Sequence, residues 1–173
     1  MRLPWRRADR LPPDVRRAAA LFVPALAIHV AEEAPGFTGW ARRYASDRYT
    51  QRDFVVINAA GLVMTGAGTA VALRSPSRAV FLAYYAAMAT QQAVFNAVFH
   101  AGTTAAFCTY SPGTVSAVGL VLPVWVRLTR AALRERLLTR RSLTAALAIG
   151  AVLHTGAVAR QVFFVGRAPA GDG

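Results

Sequence analysis

Residues 18–33 read AAALFVPALAIHVAEE, an apolar run without charge up to Val30 except for His29, closed by Glu32 and Glu33. Two of the chain's eight acidic residues sit in this one place. On an α-helix, positions i+3 and i+4 lie at about −60° and +40° from position i, so both carboxylates flank the imidazole of His29. The apolar run predicts a membrane-crossing helix. There an ionisable side chain costs about 2.5–3.5 kcal/mol on insertion scales. Three such groups together need partners, a watery cavity or a metal, so the cluster reads as a site.

Along the whole chain the apolar residues fall in five blocks, roughly 18–35, 54–73, 79–107, 114–133 and 143–165, with the charges between them. Each approaches or exceeds the ~20 residues that cross a ~30 Å hydrocarbon core. The expectation is an all-α membrane protein: one bundle of about five transmembrane helices over 18–165, a basic cytoplasmic tail over 1–17 and a short extracytoplasmic tail over 166–173. The first block also resembles a signal peptide, with Arg16 and Arg17 before the apolar run. Cleavage would remove His29 or part it from Glu32 and Glu33, and no clean A-x-A site precedes the pair, so a retained helix is expected. No repeat or low-complexity tract is present.

The net charge of +12 comes from twenty arginines and no lysine. Its distribution argues against nucleic acid. With the N-terminus inside, fourteen arginines fall in the tail, in the connection at Arg74 and Arg78, and between Arg127 and Arg141. Five lie outside (Arg42, Arg43, Arg48, Arg52, Arg167) and Arg160 lies within the last helix. This asymmetry predicts N-in, C-out topology in a multipass cell-membrane protein. The expected partners are membrane lipids, with anionic headgroups at Arg127–Arg141. The lone Cys108 excludes an intramolecular disulfide, and nothing in the sequence fixes an oligomeric state.

Topology then sorts the intramembrane polar residues by depth. His29, Glu32 and Glu33 occupy the outer turns of the first helix. The third carries Gln92, Asn96, His100 and Thr104 at four-residue steps, drifting about 40° per step. Asn58 lies near the outer end of the second helix, and His154 and Gln161 share a face of the fifth. These groups should point at one another and away from lipid, which predicts a polar cavity opening to the outside. Gly61, Gly150 and Ala157 read as packing positions. Pro24 and Pro123 are expected to kink their helices. The connection with Phe37, Trp40, Tyr44 and Tyr49 reads as an interfacial segment, or as a lid over the cavity. In Cys108–Gly113, Pro112-Gly113 suits a tight turn. The third helix, as read, exceeds the bilayer and should tilt, protrude or break near Gly102.

His29-x-x-Glu32-Glu33, Asn96-x-x-x-His100 and Tyr110-x-Pro112-Gly113, in this order over roughly residues 25–125, resemble the HXXEE domain family of bacterial integral membrane proteins. That family carries an H-x-x-E-E motif, a further histidine and Y-x-P-G. The resemblance implies which residues matter and names no reaction. His154 lies outside the pattern.

Chemically, His29, Glu32, Glu33 and His100 offer an N/O ligand set suited to a divalent transition metal: zinc, iron or manganese. Glu32, Glu33, Asn96 and Tyr110 are the candidate catalytic residues: a glutamate as general base, Asn96 to orient a ligand or stabilise charge, Tyr110 as proton donor. The expectation is a metal-dependent hydrolase acting on a lipid or amphiphile from the outer leaflet. Two alternatives stand beside it. One is proton-coupled transport or relay through the same ionisable groups. The other is a structural or binding protein in which His and Glu pair to hold the bundle.

Overall fold

The structure is a computed structural model, and residues 11–164 are described. Those residues are all-helical. Helix α1 (Pro13–Ala20) starts on Pro13, whose missing N–H is unneeded at a helix start. It passes through Leu21 into α2 (Phe22–Glu33). The interruption at Leu21 lies beside Ala20, whose carbonyl Pro24 cannot engage four residues on. Arg16 and Arg17 are thus inside α1, earlier than the boundary at residue 18 implied.

After Glu33 the chain bends by 68° into α3 (Phe37–Tyr44). A capping box between Thr50 and Asp53 starts α4 (Gln51–Arg74), three residues before the apolar block. The next helix is continuous over 78–107: α5 (Arg78–Tyr84), a π-helical stretch (Tyr85–Phe95) and α6 (Asn96–Phe107). It does not break at Gly102. Beyond the turn at residues 108–113 come α7 (Thr114–Ser116), a π-helical turn (Ala117–Val121) and α8 (Leu122–Arg134). Pro123 occupies the start of α8, and the π turn absorbs the hydrogen bond it cannot make. Last is α9 (Arg140–Phe164).

Among the described residues, three helices are long and apolar enough to cross a membrane: Gln51–Arg74, Thr114–Arg134 and Arg140–Gln161. The bent pair Pro13–Glu33 and Phe37–Tyr44 makes up to four. Helix 78–107 has the length, but its Gln91, Gln92, Asn96 and His100 lower its apolar content. The faces of α4 and α9 carry exposed Val55, Val63, Val71, Ile149 and Val152, as expected of surfaces that meet lipid.

Two clusters bracket the site. One core packs Val15, Ala18 and Phe22 against Phe81, Tyr85, Val121, Leu128 and Ala132. At the other end, Phe37, Trp40, Tyr49 and Phe54 form an aromatic roof. α9 packs along the π-helical stretch, and Gly150 permits it: a Cβ there would lie 3.1 Å from Phe95 and 3.2 Å from Thr90. At Gly61 the nearest such atom is 3.6 Å away, an ordinary contact.

Candidate functional site

Between the core and the aromatic roof, α2 presents His29 and, one turn on, Glu33, while α6 presents His100. Glu33 Oε1 lies 3.7 Å from His29 Nε2 and 3.2 Å from His100 Nε2. The two imidazoles meet edge to face with centroids 5.0 Å apart. All three residues are buried, and one ligand atom from each lies within 4.8 Å of the others.

The connection between α6 and α8 orients both rings. Ser116 Oγ lies 3.0 Å from His29 Nδ1, and Ser111 Oγ lies 3.0 Å from His100 Nδ1. The Ser116 hydroxyl donates to the Gly113 carbonyl, so it accepts from His29 Nδ1–H. That tautomer leaves a lone pair on His29 Nε2, which accepts from the Asn96 amide at 2.7 Å. A serine on Nδ1 with Nε2 aimed at a carboxylate is the kind of outer support that metal-ligating histidines receive.

Glu32 goes elsewhere. Its carboxylate accepts from the Tyr110 hydroxyl, from Val115 N at 3.2 Å and from Ser116 N at 2.7 Å. It therefore caps, from another helix, the start of the Thr114–Arg134 helix, where exposed N–H groups and the helix dipole favour a negative charge. Of the four candidate ligands the structure thus brings together His29, Glu33 and His100, and it places Glu32 apart from them, tied to Tyr110. Adjacent positions on α2 diverge by 100°, which sends Glu33 toward α6 and Glu32 toward α7. Burial first, then the bond to Glu32, pushes the Tyr110 phenol up, so Tyr110 stays a donor. Burial also pushes Tyr49 up, with Glu33 and Asp53 adding to it.

The Ser111–Thr114 turn closes through Thr114 N to Ser111 O at 3.1 Å, with Gly113 at φ +102°. That is the type II pattern, which needs glycine at its third position. Space demands the same residue: a Cβ on Gly113 would lie 2.7 Å from His29 Cε1, 2.9 Å from Glu33 Cγ and 2.9 Å from His100 Cε1. Pro112 packs on Gly36, where a Cβ would come within 3.0 Å of Pro112 Cγ. Thr104, the end of the polar stripe, accepts from Ser111 N and so anchors the turn.

His29, Glu33, Asn96 and His100 line one wall of a cavity of about 610 Å³, and Asn58, Gln92, His154 and Gln161 line it too. Four helices thus contribute polar side chains to one space. Neither Glu32 nor Tyr110 lines it. The roof helix α3 brings Phe37 to 6.0 Å from the His100 ring. Ser111, Ser116 and the pair Gln91–His154 escaped the sequence reading. Ser111 is the variable position of Y-x-P-G, and Ser116 has no periodic signal at all.

Among the described residues the fold is all-helical, with His29 and Glu33 of the H-x-x-E-E segment meeting His100, braced by Ser111 of the Y-x-P-G turn, beneath an aromatic roof. The family model described as "Protein of unknown function with HXXEE motif" matches residues 20–128, and the chain belongs to that family. Comparison with curated proteins and with solved structures finds no match.

Proposed function

We propose that His29, Glu33 and His100 hold a divalent transition metal in a membrane-embedded hydrolase that acts on a lipid or other amphiphile. One observation carries this reading: three buried side chains converge with the two nitrogen-to-carboxylate separations at 3.7 and 3.2 Å. Donors sharing one ion at about 2.0–2.2 Å per bond lie roughly 3–4 Å apart. Two imidazoles and a carboxylate suit zinc, iron or manganese.

A metal held there would supply an activated water and a Lewis acid for an ester or amide carbonyl. The chain's own residues do the rest. Ser111 and Ser116 fix the rings, Phe37 and the aromatic roof limit water, and the cavity admits the substrate. Asn96 occupies His29 Nε2, so uptake at that nitrogen requires the amide to turn away, which frees it to orient a substrate in the cavity. Glu32 and Tyr110 act by setting the helix that carries Ser116.

The membrane setting extends the same reading: five crossings, N-in and C-out, with the site in the outer half of the bilayer and Arg127–Arg141 among inner-leaflet headgroups. It is supported by the arginine distribution and by the apolar faces of α4 and α9.

Elemental analysis of the purified full chain should find about one equivalent of transition metal, lost in Glu33→Gln and in His100→Ala and kept in Glu32→Gln. Less than about 0.2 equivalents after reconstitution, with stability lowered by Glu33→Gln in that metal-free protein, would assign the triad to packing instead.

A further inference from the structure

The cavity is longer than the triad requires. Its lining runs from Leu26, Met64 and Met88 at one end to Tyr44, Phe107 and Arg160 at the other. From Met88 to Phe107 the helix rises roughly 25 Å, allowing for its π-helical turns. A cavity of about 610 Å³ spread over that length has room for an extended hydrocarbon chain. Met64 and Leu153 line it and are also 56% and 45% exposed, so the cleft opens sideways between α4 and α9 along their apolar faces.

The two ends differ in chemistry. The Met64–Met88 end is apolar. The other end carries Arg160, which has no carboxylate partner among the described residues. Six residues before it on α9, ~9 Å down the helix, is His154. Its Nδ1 pairs with Gln91 at 3.4 Å, and its Nε2 is buried without a hydrogen-bond partner. The His154 ring lines the cavity, so a small turn of it would present that unpartnered nitrogen to a polar group there.

We propose that the cleft binds a single-chain amphiphile with an anionic head, phosphate or carboxylate. The head sits on Arg160, a polar linkage meets His154, and the chain runs past Asn96 and Gln92 toward Met64 and Met88. This names the substrate class for the hydrolase reading and rests on it for the chemistry, while the binding itself is tested separately. Guanidinium suits a planar carboxylate or a phosphate through paired N–H donors. The apolar lower cleft, lined by Leu26, Met64 and Met88, suits hydrocarbon.

The test uses the full chain in neutral maltoside detergent, titrated with dodecyl phosphate brominated beside the headgroup, with tryptophan fluorescence as the readout. Trp40 lines the cavity and is the reporter, and Trp40→Phe defines the background. Quenching should saturate with the phosphate probe and not with the brominated neutral maltoside. Affinity should fall about tenfold in Arg160→Gln and vanish in Ala157→Phe, which fills the cleft from an exposed position on α9. Equal affinity for charged and neutral probes, no change in Arg160→Gln, or no saturable quenching would each overturn the proposal. Saturable, charge-dependent quenching by wild-type protein that takes up no metal on reconstitution would defeat the metal reading and leave this one standing.

Discussion

At the scale of single residues, the two adjacent glutamates of the motif have opposite work. Glu33 shares a buried space with two imidazoles, whereas half-buried Glu32 caps a helix start with two backbone N–H bonds and the Tyr110 hydroxyl. Glu32→Gln should cost about 1 kcal/mol by weakening that cap, read as a lowered unfolding midpoint in detergent with metal content unchanged. Tyr110→Phe should reproduce the smaller part of the same loss. Gly113 is constrained twice, by its positive φ and by the three site atoms within 3 Å of where a Cβ would stand. Gly113→Ala should therefore destabilise by about 2–4 kcal/mol and displace the His29 and His100 rings. Thermal unfolding with metal analysis checks both. Asn96→Ala offers the converse: metal retained, because the amide competes for His29 Nε2, with hydrolysis of any identified substrate reduced.

At the scale of elements, the site is built where regular helices stop being regular. The π-helical turns at Tyr85–Phe95 and Ala117–Val121 sit just before the segments that deliver Asn96, His100 and the start of α8. A π turn takes more residues per turn than an α turn, so it resets the facing of everything beyond it. The polar stripe from Gln92 to Thr104 was visible as spacing, yet its facing could not be followed through the π stretch on α-helical geometry alone. The helix starts at Thr50 and Thr139 were legible in principle from their capping pairs and lay outside the apolar blocks. The roof helix α3 is the element most open to test. Phe37→Ala, which removes a ring stacked on Trp40 and set against His100, should cost about 3 kcal/mol. It should also speed metal removal by a chelator, measured as the rate of loss.

At the scale of the whole molecule, the arrangement is a narrow bundle whose outward faces are apolar and whose polar residues converge on one cavity. The proposed orientation puts the turn at residues 108–113 outside the membrane, and the chain carries its own probe there. Cys108 is exposed at the end of α6. A membrane-impermeant maleimide should label it in intact cells, without permeabilisation, and Cys108→Ser should abolish the signal. Labelling only after permeabilisation would reverse the topology. A reporter fused at Gly173 should agree with the cysteine.

The helical class, the family and most of the polar residues that meet are legible in the chain, because hydropathy and spacing along one helix are local quantities. His29 and Glu33 share a face through i,i+4 geometry that any helix enforces. Helix packing was needed to show that Glu32 leaves that face for the start of the next helix, that Ser111 and Ser116 hold the rings, and that Gln91 pairs with His154. Those outcomes depend on which helices become neighbours and on a π-helical change of register. Contacts across 87 residues, such as His29 to Ser116, leave no periodic trace in the chain that makes them.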